Sequence, residues 1–331
     1  MFQRLGLGAG RVAALMALAA VLATGCSGAS GSTEQTVPEQ QQLASGLIAR
    51  EFDLAGVHFT VGSKEFTEQV ILGKIMAYAL NAAGAKTTDQ TGLSGSTIAR
   101  SALQSGQIDM YWEYAGTGWS QFLQHDKPVP GDVEQFHATA GEDSRNGIAW
   151  LGPARFGNQY AIARAGNAPG PAGEVNSLGQ LKEFVAQHPD QATLCGASEF
   201  LDRELEPFQE AYDVRFPSTQ VYQNAFALNY VNVAKASPCR FAEVFTTDAR
   251  IKSMNLHVLH DEKTQFSTQL AALTTRNDVA REHPQIAELA RRLGHELTED
   301  TMIELNGMVD LEGATPDEAA LHFLRTRGFI G

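Results

Sequence analysis

Short apolar runs alternate with amphipathic stretches through most of this chain. Residues 57–62 read as a first strand. Beyond them Ile71, Ile75, Tyr78 and Ala82 recur on one stripe, the spacing of a helix with one buried face, and Gly84 ends it. Residues 87–90 predict a short second strand and 108–112 a third. Between them, 97–104 predict a helix with Ile98, Ala102 and Leu103 on its apolar side. The runs 149–151 and 160–163 flank a change of region, and the Gly/Pro-rich stretch 166–173 is a loop. A helix over 178–188 stops at Pro189, and a strand follows at 192–196. Helices around 204–212 and 225–234 lead to a strand at 241–245. The last third reads as helical. There Thr315 is an N-cap, Pro316 the first helical residue and Glu318 the capping-box partner of a helix that buries Ala320, Leu321 and Leu324 and stops at Gly328. No fixed-period repeat is visible. The alternation predicts an α/β protein with mostly parallel sheets, in which ligands bind at the carboxyl ends of strands.

The N-terminus changes the picture. Arg4 and Arg11 precede an apolar run, 12–24, too short to span a bilayer, so residues 1–25 read as a signal peptide. Small residues lead into Cys26 (Leu22-Ala23-Thr24-Gly25-Cys26), which predicts cleavage there and a lipid on its thiol. A stricter lipobox would have Leu where Ala23 stands, and the alternative is an ordinary signal peptide with an incidental Cys. Residues 26–53 have the Ser, Gly, Gln and Pro content of a flexible tether. No other long apolar run exists, so the expectation is a protein anchored to the outer face of the cell membrane rather than spanning it.

The body that remains is long enough for two domains. The formal net charge of −13 argues against nucleic acid and against a basic membrane-binding face. Cys195 and Cys239, near the ends of predicted strands in an exported chain, are candidates for a disulfide, with two buried free thiols as the alternative. The nine His are scattered and no Cys or His pair has ligand spacing, so no metal or other cofactor is expected.

Two segments carry the site. The first is Val61-Gly62-Ser63-Lys64-Glu65-Phe66-Thr67-Glu68-Gln69, where an apolar run breaks at a Gly-Ser turn into a helix. Free amide donors and the helix dipole there attract an anion, and the Lys64 ammonium adds to this. A solvated helix-start lysine is the alternative. The second is Ile108-Asp109-Met110-Tyr111-Trp112-Glu113-Tyr114-Ala115-Gly116-Thr117, a strand that ends in aromatic, acidic and small residues.

Both segments closely resemble the lipoproteins that bind glycine betaine, choline, carnitine and related quaternary amines for ABC importers. The resemblance implies a two-lobed periplasmic-binding fold of type II. On it, residues 54–157 and 266–331 build the first lobe and 158–265 the second. Permease and ATPase subunits are then the implied partners of a monomeric receptor. In that family Lys64 helps hold the ligand carboxylate, Tyr114 is a cage tyrosine and Thr117 contacts ligand. Phe156-Gly157-Asn158-Gln159-Tyr160-Ala161-Ile162 matches a run whose tyrosine, here Tyr160, belongs to the cage. Ser198-Glu199-Phe200-Leu201-Asp202-Arg203 matches a segment whose arginine, here Arg203, takes the carboxylate, which a guanidinium fork suits. Internal pairing of Arg203 with Asp202 or Glu206 is the alternative. A quaternary ammonium donates no hydrogen bond and is held by aromatic faces.

The chain departs from the pattern at Ser94 and Ser96, where Gly-Leu-Gly-Gly-Thr is usual, and at two cage positions. Phe245 stands for one tyrosine and keeps the ring; Gln269 stands for another and has none. The cage expected is Tyr114, Tyr160 and Phe245, with Trp112, Tyr222 or Tyr230 as candidates to complete it. Another small solute, an amino acid or aromatic metabolite, is the alternative ligand. A secreted enzyme is disfavoured because no nucleophile–base pair, phosphate loop or metal set is evident.

Overall fold

The computed structural model describes residues 43–266 and 270–331. The signal segment, Cys26 and Gln269 lie outside the described residues.

The body is built on two five-stranded sheets. The first has the order β2-β1-β3-β10-β4, with β1 His58–Lys64, β2 Lys86–Leu93, β3 Met110–Tyr114, β4 Ile148–Leu151 and β10 Ala271–Arg276. The second has the order β7-β6-β8-β5-β9, with β5 Tyr160–Ala165, β6 Leu194–Gly196, β7 Val221–Gln223, β8 Phe241–Phe245 and β9 Leu256–Val258. Both sheets are mixed. β1 runs parallel to β2 and β3, and β6 to β7 and β8, as strand–helix–strand units require. β10 is antiparallel to β3 and β4, and β5 to β8 and β9. The strands that bring the chain across from the other sheet are the ones that run backwards. β10 itself lies in the stretch that reads as helical from sequence.

Helix α1, Thr67–Ala82, buries Ile71, Leu72, Ile75, Met76, Ala79 and Leu80 on the first sheet. Helices α2 Gly95–Ser105 and α3 Asp132–Asp143 cover the sheet with a separate cluster around Tyr111, Phe136 and Trp150. Ile98, expected on the buried side of α2, is 52% exposed instead. α8 Gln285–Glu296, α9 Glu299–Asp310 and α10 Pro316–Thr326 close the same core. The capping box of α10 is formed: the Thr315 hydroxyl accepts from Glu318 N, and Glu318 Oε2 accepts from Thr315 N. The second sheet carries α4 Leu181–Gln187, α5 Ser198–Arg203, α6 Leu205–Tyr212 and α7 Phe226–Ala234, with a core rich in phenylalanine: Phe184, Phe200, Phe208, Phe216, Phe241 and Phe266.

The tether expectation needs a correction at its end. Leu43, Ile48 and Phe52 are buried in the first core, and a short helix, Leu47–Glu51, is pinned by Leu47 N to Gly328 O and Ile48 N to Phe329 O. Three apolar side chains, one in the short helix and one on either side of it, dock this polar-looking stretch on the core.

The chain passes between sheets twice, and the two passages lie side by side. Gly157 bridges Leu270 antiparallel, Ala271 N donates to Phe156 O, and Ala154 N to Ala271 O. Paired passages of this kind are where two lobes hinge. Cys195 on β6 and Cys239 just before β8 are joined, with Cα atoms 5.7 Å apart. No described helix is long and apolar enough to cross a membrane.

Candidate ligand site between two sheets

On the first sheet the site begins where β1 ends. Its register with β2 shifts between Gly62 and Lys64, a bulge at which Gly92 takes a φ of 88° open to glycine. Lys64 is buried there. Its Nζ donates to Glu113 Oε1 at 2.5 Å and Ser96 Oγ at 3.2 Å, and sits 4.8 Å from the centre of the Tyr114 ring. The solvated-lysine reading therefore does not hold. Glu113 is fully engaged: Oε1 also accepts from Tyr114 N and Oε2 from the Tyr111 hydroxyl. The departures Ser94 and Ser96 lie in the turn that opens α2, which is tied down by Gly95 N donating to Glu65 Oε2 at 2.8 Å.

Tyr114 ends β3. Its hydroxyl donates to Glu68 Oε1 at 2.5 Å, and its ring stacks on Phe66 with centroids 6.3 Å apart. Glu68 is a hub that sequence reasoning passed over. Its Oε2 accepts from Thr247 Oγ1 at 2.6 Å and Asn306 Nδ2 at 3.0 Å, and Asn158 adds a further side-chain hydrogen bond. Burial pushes the Glu68 carboxyl up, and those donors oppose the rise.

On the second sheet Tyr160 opens β5 opposite Phe245, which ends β8; their rings are 5.0 Å apart. Phe245 also packs on Phe226 at 4.6 Å, and Tyr160 on Phe200 at 5.7 Å. Burial raises the Tyr160 hydroxyl far above its ordinary range, so it stays a neutral donor. Arg203 closes α5 and pairs with Glu199 at 2.7 Å, not with Asp202 or Glu206. Glu243, inside β8, is buried and accepts from Ala197 N at 2.6 Å and Asn229 Nδ2 at 3.2 Å. Burial, reinforced by Glu199 and Glu204 nearby, pushes its carboxyl up to about 7 against those two donors.

These side chains meet. Lys64, Tyr114 and Thr117 from the first sheet, and Tyr160, Arg203 and Phe245 from the second, all line one cavity of about 540 Å³. A second cavity of about 350 Å³ continues from it past Phe66, Tyr160 and Phe245 to Phe226, Glu243 and Asn306. None of the candidates for completing the cage lines either space. Trp112 and Tyr230 are wholly buried, the latter bonding Phe245 N, and Tyr222 packs beside the disulfide. The additional rings are Phe66 and Phe226. Phe66 sits inside the Lys64 motif, and that adjacency was the available signal; Phe226 had none. Gln269 lies outside the described residues. Among the described residues no group of His, Cys, Asp and Glu could hold a metal. Rings at both walls, with a buried ammonium and a partly exposed guanidinium, each paired with a carboxylate, suit a small ligand with a soft cation and an anionic group.

Known proteins share this architecture. The glycine-betaine-binding protein of Pseudomonas aeruginosa is 35% identical, aligned over 80% of this chain and 86% of its own. An ergothioneine transport permease/ergothioneine binding protein of Helicobacter pylori is 26% identical over 81% of this chain and 47% of its own length. The apo structure of YehZ from Escherichia coli superposes with a TM-score of 0.67 at 26% identity, covering 83% of this chain and all of that one (100%). Residues 58–326 match the substrate binding domain of the ABC-type glycine betaine transport system, and the chain belongs to that family of transport components.

Proposed function

We propose that this protein is the lipid-anchored, monomeric receptor of an importer and captures a quaternary ammonium carboxylate between its lobes. Residues 54–157 and 266–331 form one lobe in this reading and 158–265 the other. Cys26 carries the anchor. Tyr114, Tyr160 and Phe245 surround the cation, joined by Phe66. Arg203 and Lys64 hold the carboxylate, with Thr117 beside them. The observation that carries the reading is the convergence of these side chains, from two separate sheets, on one cavity. A ligand that touches both walls binds the closed arrangement better than the open one, and this differential affinity drives closure. The closed shape is then read by permease and ATPase subunits, and the ligand leaves unchanged. The names of the relatives, which include binders of glycine betaine and of ergothioneine, support a betaine.

Isothermal titration with glycine betaine, choline and carnitine tests this, alongside an assay for turnover of betaine esters. Saturable heat without turnover is expected. No saturable heat from any of them, or product formation, sinks the reading. Membrane fractionation of wild type against Cys26→Ser tests the anchor, and wild type found soluble after signal cleavage would remove it.

A further inference from the structure

Behind the cage, three residues close a ring of hydrogen bonds across the two sheets. Glu68 Oε2 accepts from Thr247 Oγ1 at 2.6 Å and from Asn306 Nδ2 at 3.0 Å, and Asn306 Nδ2 also donates to Thr247 O at 3.1 Å. Glu68 lies in the first turn of α1 and Asn306 in α9, both packed on the first sheet. Thr247 lies two residues beyond the end of β8 in the second sheet. All three residues are buried. The groups that bond Glu68 are neutral donors: Thr247, Tyr114, Asn306 and Asn158. A carboxyl group buried without a cation is tolerated only when donors replace the water it has lost.

Both ends of this clasp lead to rings of the cage. Glu68 Oε1 accepts from the Tyr114 hydroxyl, which fixes the tilt of the ring that lines the first cavity. Thr247 sits on the turn that follows Phe245, and that turn is fastened to the passage between the sheets. Thr246 N donates to Gln159 O at 3.1 Å and the Thr246 hydroxyl to Gly157 O at 3.2 Å. Separating Thr247 from Glu68 therefore moves the Phe245 ring away from the Tyr114 ring. Opening the lobes admits water, which supplies the donor that Thr247 withdraws. Closing expels that water and needs the hydroxyl back. Loss of the hydroxyl thus penalises the closed arrangement and spares the open one.

We propose that Thr247 is a positioning residue for capture: through Glu68 it clasps the lobes behind the rings and sets how much of the protein is closed. It acts on where the rings stand and is neither a ring nor a charge of the cage. The proposal rests on the lobe assignment above and not on which solute is carried. Each bond of the clasp joins protein to protein, so the clasp forms in the ligand-free protein as well. Apparent affinity scales with the closed fraction. The clasp therefore changes affinity for every solute by one factor and confers no selectivity among them.

Single-molecule energy transfer between dyes on Gln104→Cys of α2 and Ala186→Cys of α4, both exposed positions, reads the closed and open populations. Cys26→Ser leaves no other thiol free, since Cys195 and Cys239 are joined. Without ligand, Thr247→Val should lower the closed-to-open ratio roughly tenfold, because a buried acceptor is left short of a donor. Thr247→Ser, which keeps the hydroxyl, should hold the ratio within about twofold of wild type. Asn306→Ala breaks the clasp from the other lobe and should lower the ratio in the same direction, which keeps the test decisive if the valine variant folds poorly. Calorimetry with glycine betaine, choline and carnitine should then show one common loss of affinity for those that bind, equal to the loss of closed fraction. Unchanged populations in both variants overturn the clasp, as does a ligand-free wild type with no closed population. A loss of affinity that differs from solute to solute overturns it too. Absence of binding by all three sinks the functional reading and leaves the ligand-free populations to judge the clasp.

Discussion

Lys64 and Arg203 bring the same charge to the same cavity but are held differently. Lys64 is buried against Glu113, whose side chain has no exposure. Arg203 and Glu199 are 39% and 60% exposed. Removing one partner of a buried pair leaves an uncompensated charge, whereas an exposed pair contributes little. Lys64→Met should therefore cost about 3–5 kcal/mol of folding stability in denaturant titration, beyond any loss of binding. Arg203→Ala should move stability by less than about 1 kcal/mol and weaken a carboxylate ligand by about 2–5 kcal/mol. Wild-type affinity in Arg203→Ala would take that residue out of the site. At this scale much was readable in sequence: Lys64, Tyr114, Thr117, Tyr160, Arg203 and Phe245 each sit in a contiguous motif, and all reach one cavity. Glu68 lies within such a motif, yet nothing in the motif marks it. Its importance depends on Thr247 and Asn306, which lie 179 and 238 residues away in sequence. No local pattern carries that information.

Elements were legible where their own chemistry decides them. The α10 cap is a contact within four consecutive residues, and it forms as the sequence predicts. Strand direction is a property of pairs, so nothing in Ala271–Arg276 announces a strand lying antiparallel between β3 and β4. The run carries two threonines and a central leucine buried on both faces of a sheet, and buried strands lose the alternation that identifies them. The helix Leu47–Glu51 hid for the converse reason, being too short to show a period. Cys195 and Cys239 illustrate an expectation made from an exported chain's two remaining cysteines and their nearness to strand ends. Their strands, β6 and β8, are neighbours in the sheet. The bridge closes a separation of 44 residues, for which the chain-entropy model gives about 4 kcal/mol as an upper figure. Alkylation of the unfolded, unreduced protein should leave both sulfurs protected by mass spectrometry. Cys195→Ser with Cys239→Ser should lose a few kcal/mol, up to about that figure. Two freely alkylated thiols would overturn the pairing in solution.

Across the whole molecule, two buried carboxyls link the lobes and the solvent pH to one equilibrium. Glu68, on α1 of the first lobe, accepts from Thr247 of the second, a contact that forms only when the lobes meet, and from Tyr114 and Asn306 within its own lobe. Glu243 lies within the second lobe beneath Phe245, facing Ala197 N, the Asn229 amide, Glu199 and Glu204. Burial raises both carboxyls above their ordinary value. A raised carboxyl holds its proton more tightly in the folded chain than in the unfolded one. For Glu243 the stabilising contribution is complete below the unfolded value of 4.5, shrinks as pH rises, and is gone above the folded value of about 7. For Glu243, that window corresponds to about 3 kcal/mol. Wild type should therefore lose stability between pH 4.5 and 7 relative to Glu243→Gln, which keeps the shape and cannot ionise. Above pH 7 the difference should become constant. Urea titrations at pH 5, 6, 7 and 8 measure it, and parallel profiles for the two proteins would remove Glu243 as the source. The same experiment with saturating ligand extends the argument to binding. A cationic or donor-bearing ligand beside Glu243 favours the ionised carboxylate, so the window should narrow toward lower pH in the complex. A ligand confined to the first cavity would leave it where it is.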